Sequence, residues 1–330
     1  MSEERPGKVW LYALGYFAAY APYAAITKAL SSGTVEGVPR VSGLELVPIA
    51  TLVSAIGMIA FLTLSGLLRT TPLRRIHGIP VPRPITLLSG ACTAAVVVTT
   101  TLSYTFAGSS IVLMMLLMRG GVLVIAPIVD AASGRKIAWY SGTALVLSML
   151  GLAGAIDPTQ TEITIPAAID VTVYLAAYFV RLRAMSQVAK RDDATNRLYF
   201  VEEQLVATPI AVVALALAAW LVPGETGAAL ARGWTALPGT TLAWIVVVGL
   251  LSQGTGIFGA LVLLDARESS FTVPVNRASS ILAGVIATLA LWAMAAAAAP
   301  DPGELAGAAL VLGAIGVLAI GPRMKRKPKE

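Results

Sequence analysis

Two arginines within apolar stretches are the residues of this chain best suited to bind a charged group. Arg119 lies in SSIVLMMLLMRGGVLVIAP (109–127), and Arg277 lies in a similar stretch, 270–296. A charged residue at the centre of a membrane helix costs roughly 2.5–3.5 kcal/mol. Guanidinium groups match phosphate and carboxylate groups through paired hydrogen bonds. The pair therefore predicts a binding site for an organic anion.

The structural alternative is that internal acids neutralise both arginines. Asp170 is the one acid that the sequence places well inside an apolar stretch, whereas Glu203 stands at the start of its stretch and Asp130 at the end of another. A single buried acid cannot neutralise two arginines. We therefore expect at least one of them to contact a substrate.

Two tyrosine pairs are the next candidates, in YFAAY (16–20) and YLAAY (174–178). Residues four apart share one face of a helix, so each pair forms an aromatic patch, which Asp170 extends by one turn in the second pair. Tyrosines also form belts at membrane interfaces. These pairs lie several residues inside their stretches, which favours the wall of a cavity.

Small polar residues surround Arg277, and they complete the predicted site. An alternative role for Asp170 is to carry a transported proton. It is the one candidate for that role, because the apolar stretches contain no histidine. The predicted substrate-binding residues are Arg119, Arg277, Asn276, Ser280, Tyr16, Tyr20, Tyr174, Tyr178 and Asp170.

The composition is that of an integral membrane protein. Hydrophobic residues make up 57% of the 330 residues and charged residues 13%, and the mean hydropathy is +0.79. A membrane crossing needs roughly 20 apolar helical residues. The sequence predicts an all-α protein with ten transmembrane helices, at 10–30, 44–68, 84–106, 109–129, 138–156, 163–183, 201–222, 241–264, 270–296 and 303–321.

Basic residues predict the orientation of these helices, since Lys and Arg accumulate in cytoplasmic links. The predicted cytoplasmic side, which comprises the termini and the regions after even-numbered helices, carries 19 of them, against three on the opposite side (Lys28, Arg40 and Arg232). Both termini are therefore predicted to be cytoplasmic. The net charge of +6 reflects this topology and contact with membrane lipids, and no nucleic-acid partner is expected.

An internal repeat relates the two halves of the chain. An offset of 158 residues places Tyr16 on Tyr174, Glu45 on Glu203 and Arg119 on Arg277, while GTALVLSMLG (142–151) matches GAALVLGAIG (307–316) at an offset of 165. This predicts two five-helix repeats, residues 1–156 and 157–330. Since five is odd, the repeats have opposite orientations, an arrangement typical of secondary transporters that bind substrate between their halves.

The chain resembles the drug/metabolite transporter (EamA-like) superfamily over essentially its whole length. The resemblance rests on the ten predicted helices in two halves, the stretch 109–127, the following GRK (134–136) and the Gly-rich fifth helix. The Arg-Gly pair in helix four is more similar to the solute-carrier-35 and phosphate-translocator-like branches. The resemblance implies that helices 1, 3, 4, 6, 8 and 9 surround a central substrate cavity, with helices 5 and 10 at the periphery. Both arginines and both tyrosine pairs fall on cavity helices.

Other classes have little support in the sequence. GTGIFG (254–259) matches the dinucleotide fingerprint but lies in a predicted membrane helix, where small residues favour helix packing. We find no Walker, HExxH or GxSxG motif, so neither an enzyme nor a cofactor is predicted.

The main hypothesis is a secondary transporter for a phosphorylated or nucleotide-linked metabolite. The alternatives are an exporter of amino acids or other small metabolites and a lipid-headgroup flippase. The Ala-rich composition favours a bacterial inner membrane, and a homodimer stays an open alternative.

Overall fold

The structure is a computed structural model that describes residues 8–77, 79–106, 110–125, 139–155, 163–189, 192–264, 269–294 and 299–324. Asp130 and the last four basic residues of the chain, Lys325, Arg326, Lys327 and Lys329, lie outside the described residues. The helices are α1 Lys8–Ser32, α2 Gly43–Leu64, α3 Leu67–Thr70, α4 Pro84–Ser103, α5 Ile111–Ile125, α6 Trp139–Ala155, α7 Ile165–Val188, α8 Asp193–Leu221, α9 Glu225–Thr235, α10 Gly239–Leu263, α11 Ser269–Ala293 and α12 Pro302–Met324.

Capping side chains fix where several helices begin. Ser42 and Glu45 form a reciprocal capping box at the start of α2, and the side chains of Thr164 and Asp192 accept backbone hydrogen bonds at the starts of α7 and α8. Such caps satisfy N–H groups that the first turn of a helix leaves without intrahelical partners. The helix boundaries are thus determined by local chemistry as well as by hydropathy.

The chain is all-helical in the part that the structure describes, apart from one small hairpin. Strand β1 (Arg75–Ile76) pairs antiparallel with β2 (Ile79–Pro80) in the basic link between α3 and α4. His77 adopts a left-handed backbone conformation at the start of the turn, with φ of 49°.

Seven of the described helices are long and apolar enough to cross a membrane: α1, α2, α4, α7, α8, α10 and α11. Large apolar side chains project from them into the surroundings, as expected for lipid contact; Ile165 is 78% exposed and Trp220 82%. These helices fit a multi-pass membrane protein. The apolar parts of α5, α6 and α12 are shorter, at Ile111–Ile125, Gly142–Gly151 and Pro302–Val317. Ten crossings and two inverted repeats therefore stay predictions.

The chain divides into two compact units that each combine distant parts of the sequence. The first unit contains Met1–Ala25, Gly108–Ile163 and Thr255–Glu330, and the second contains Ile26–Ala107 and Thr164–Gly254. The boundary predicted between residues 156 and 157 separates the two sequence repeats, which is a different division of the chain, and it stays a prediction.

Helices in the first unit approach closely at small residues. There α12 packs against α6 and α11, and α11 packs against α5. A Cβ atom on Gly151 would lie only 2.8 Å from the carbonyl oxygen of Gly307, so glycine allows α6 and α12 to meet. These are the two helices that carry the matched GxALVLxxxG segments.

In the second unit, α4 packs against α7 and α8, and α2 packs against α8 and α9. Helix α9 lies in a link that the hydropathy pattern left without a helix. Its Arg232 donates hydrogen bonds to Glu225 and Glu45, at 2.5 and 2.7 Å, and these bonds raise the pKa of Arg232 above its ordinary value. The Glu45 bond attaches α9 to the start of α2.

The start of α8 differs most from the prediction. The helix begins at Asp193 rather than near residue 201, because Asp192 caps a polar first part that hydropathy does not detect. Glu203 therefore lies inside the helix and is fully buried, as is Glu202 at 2% exposure. The prediction that Asp170 is the only acid well inside an apolar segment was wrong.

Candidate functional site

Helix α5 presents Arg119 from an irregular turn. Residues Leu116–Gly120 form a π-helical turn within Ile111–Ile125, a distortion that is often found at functional sites. The Arg119 side chain is buried and donates a hydrogen bond to the Tyr20 hydroxyl. Its guanidinium carbon lies 5.3 Å from the centroid of the Tyr20 ring, within reach of a cation–π interaction.

The tyrosines of α1 form a buried aromatic row in the same unit. Tyr16 and Tyr20 meet edge to face with ring centroids 5.2 Å apart, and Tyr20 meets Tyr23 in the same manner at 5.6 Å. The i, i+4 and i+3 spacings place these rings on one helical face. Tyr23 was not predicted, although its spacing from Tyr20 was a visible signal.

Gly259 of α10 connects the tyrosine row to α11. A Cβ atom at this position would lie 3.0 Å from Cε2 of Tyr16 and 3.5 Å from Nδ2 of Asn276. Asn276 Nδ2 donates a hydrogen bond of 3.1 Å to the Gly259 carbonyl oxygen. The last glycine of GTGIFG thus lets an aromatic ring and a buried amide approach the backbone of α10.

Arg277 follows Asn276 in α11 and is the largest fully buried side chain among the described residues. The hydroxyl of Ser280, one turn later, donates to the backbone carbonyl oxygen of Arg277 at 3.0 Å. That bond is internal to the helix. Ser280 therefore lies at the predicted position with its hydroxyl donor already used.

A line of contacts runs from Arg119 to Asn276 within the first unit, and Arg277 is the next residue of α11. We call it the arginine–tyrosine cluster; its members are Arg119, Tyr20, Tyr16, Gly259, Asn276 and Arg277. Four helices contribute to it, and hydropathy does not predict the contacts between its members.

The remaining predicted residues lie on α7, in the second unit. Tyr174 and Tyr178 are buried, with ring centroids 4.7 Å apart. Asp170 is 6% exposed, and its Oδ2 atom has no hydrogen-bond partner among the residues that the structure describes.

A second buried polar cluster, in which Glu203 is the central residue, was missed by the sequence analysis. Arg181 of α7 donates to both carboxylate oxygens of Glu203, at 2.9 and 2.8 Å. Glu203 Oε1 also accepts hydrogen bonds from Ser89 (2.6 Å), Tyr199 (2.9 Å) and Thr93 (3.1 Å). We call these five residues the Glu203 cluster.

Spacing could have revealed the Glu203 cluster. Ser89 and Thr93 are four apart on α4, and Tyr199 and Glu203 are four apart on α8, so each pair shares a helical face. Residue pairs of this kind are expected where two helices exchange hydrogen bonds. The preceding residue, Glu202, accepts hydrogen bonds from Arg83 and Thr86, both at 2.8 Å.

Comparison with known proteins defines the fold but gives no function. No family model matches the chain, and no curated protein matches it. Among 26 matching chains of solved structures is one described only as the crystal structure of a protein, with 15% sequence identity and a TM-score of 0.59. The match covers 97% of this chain and 99% of the other. At this identity the likeness shows a shared fold alone.

Proposed function

We propose that the protein is a secondary transporter that moves a small organic anion by alternating access. The anion is a phosphorylated or nucleotide-linked metabolite, and the membrane is a bacterial inner membrane. The proposal includes ten crossings, two inverted repeats and membership of the drug/metabolite transporter superfamily. The resemblance of residues 109–127 and the tandem offset of 158 residues support it.

The arginine–tyrosine cluster is the observation that carries this proposal. It holds two buried guanidinium groups on apolar helices of one unit, and two such charges cost about 5–7 kcal/mol in a membrane. Tyr20 accepts a hydrogen bond from Arg119 through its hydroxyl oxygen. Guanidinium groups on apolar helices suit an anionic substrate, because their paired N–H donors match phosphate and carboxylate groups.

Arg181 has a different role from the two arginines of the cluster. Glu203 already occupies its guanidinium with two hydrogen bonds, so Arg181 is a structural residue. The proposed substrate ligands are thus Arg119 and Arg277, with Tyr16, Tyr20 and Asn276 beside them.

The test is ligand-induced thermal stabilisation of the purified protein. Organic phosphates, nucleotide sugars, amino acids and lipid headgroups are screened against the wild type, Arg119→Ala and Arg277→Ala. A ligand at 100 times its Kd stabilises a protein by about 2.7 kcal/mol. We expect organic phosphates to stabilise the wild type but not Arg119→Ala or Arg277→Ala.

Arg183→Ala is the matched control, since Arg183 is an exposed arginine on the membrane helix α7. It should respond as the wild type does. If Arg119→Ala and Arg277→Ala fold and keep the full response, the arginines do not bind substrate. A response to amino acids or lipid headgroups alone would replace the phosphorylated metabolite with one of the alternative cargoes.

A further inference from the structure

We propose that Asn276 selects substrates that carry a hydrogen-bond donor in addition to their anionic group. The inference rests on the proposed function and narrows its substrate class to organic phosphates with a hydroxyl or ammonium group. Asn276 supplies the acceptor for that donor through its side-chain oxygen, Oδ1.

The orientation of the amide follows from its neighbour. A backbone carbonyl oxygen can only accept hydrogen bonds, so the group that approaches Gly259 O to 3.1 Å must be the NH₂ of Asn276. The amide is planar, and this bond turns Oδ1 away from the α10 backbone. Helix α10 thereby holds the acceptor in a fixed direction.

The acceptor itself is buried without a hydrogen bond. Asn276 is 1% exposed, and its Oδ1 has no partner among the described residues. Buried polar groups are almost always hydrogen-bonded, because an unsatisfied one loses its hydration without replacement. An unsatisfied acceptor beside a proposed anion ligand is therefore a place where a substrate donor would restore a bond.

The neighbouring residues keep the acceptor in position. Gly259 has no side chain, and Tyr16 occupies the space next to it, with its ring 3.0 Å from where a Cβ atom would lie. Arg277 is the next residue along α11. Side chains of adjacent helical residues point about 100° apart, so the proposal requires a substrate that spans from the Arg277 guanidinium to Asn276 Oδ1.

Three phosphates that differ in their donors provide the test. Glycerol 3-phosphate carries hydroxyl groups, and 2-aminoethyl phosphate carries an ammonium group. Propyl phosphate has no hydrogen-bond donor on its carbon chain. Affinities are measured by titration calorimetry on the purified full chain. A site built around a donor strongly rejects an analogue that lacks it, because the buried acceptor then stays unpaired. We expect at least one donor-bearing probe to bind the wild type about tenfold to a hundredfold more tightly than propyl phosphate.

Asn276→Ala should reduce that preference to within about twofold, because it removes the acceptor that distinguishes the probes. Asn276→Leu, which keeps more of the side-chain volume, serves as a second variant. Ser279→Ala is the matched control, because the Ser279 hydroxyl donates within α11 to Val275 O at 3.0 Å. This control should keep the wild-type preference.

The outcomes separate the two proposals. Equal binding of the three probes to the wild type overturns the role of Asn276 and leaves the anion transporter intact. A preference that persists in both Asn276 variants also overturns it. If none of the probes binds the wild type, the selection of small donor-bearing phosphates by Asn276 is overturned, whereas the organic-anion transporter is judged by the thermal-stabilisation screen.

Discussion

At the scale of single residues, Gly259 sets the spacing of the arginine–tyrosine cluster. The ring of Tyr16 and the amide of Asn276 both lie against its backbone, and any side chain there would compete with them for space. Gly256, three residues earlier in α10, has no atom within 4 Å of its Cβ position. Two glycines of one motif thus have different roles.

Substituting these two glycines tests that difference. We expect Gly259→Val to lower the free energy of unfolding by about 1–3 kcal/mol more than Gly256→Val, since overpacking forces neighbouring atoms to move. Both variants place the same β-branched residue in the same helix. Thermal unfolding in detergent measures the difference. Equal losses would mean that α10 and α1 adjust freely around Gly259.

At the scale of elements, the Glu203 cluster joins three helices of the second unit. Glu203 comes from α8, Arg181 from α7, and Ser89 and Thr93 from α4. Each carboxylate oxygen is satisfied, and the arginine also lies 5.8 Å from the ring centroid of Tyr178. A buried ion pair with this many hydrogen bonds fixes how its helices are packed.

Removing one member of the ion pair should be strongly destabilising. We expect Glu203→Ala to cost about 3–5 kcal/mol, because it leaves the Arg181 charge buried without its carboxylate. The double variant Arg181→Met, Glu203→Met should recover most of that loss, since a pair of apolar residues leaves no buried charge. Thermal unfolding of the three proteins measures both effects. A double variant less stable than Glu203→Ala would contradict this account.

Hydropathy predicted the helical fold because each long membrane helix is a continuous apolar stretch of the sequence. It placed the start of α8 too late, since the polar side chains of Glu202 and Glu203 are buried by partners on α4 and α7, far away in sequence. The predicted arginines and tyrosines depended on rare residue types in apolar stretches. The contact between Asn276 and Gly259 depends on the packing of two helices, which no single stretch encodes.

At the scale of the whole molecule, the number of crossings decides where the two ends of the chain lie. Within the described ranges, seven helices meet the length and hydropathy expected of a span, whereas the repeat predicts ten. An even number of crossings returns the chain to its starting side, and an odd number does not. Ten crossings and seven crossings therefore make opposite predictions for the termini.

Cysteine labelling distinguishes these topologies, because Cys92 is the only native cysteine. In a Cys92→Ser background, we expect Ser2→Cys and Lys329→Cys to be labelled from the cytoplasmic side by a membrane-impermeant reagent. Glu36→Cys and Ala236→Cys, at exposed positions in links, should be labelled from the opposite side. Labelling of the two termini from opposite sides would overturn the ten-helix topology and the inverted repeat.

The π-helical turn at Leu116–Gly120 has a consequence for how this chain tolerates changes in length. Such a turn contains one residue more than the α-helical turn that it replaces, so the helix on either side keeps its register if one residue is lost there. A single-residue deletion elsewhere in α5 would rotate all later side chains by about 100°, because an α-helix has 3.6 residues per turn. The segment that presents Arg119 is thus where α5 can lose one residue without turning its other faces.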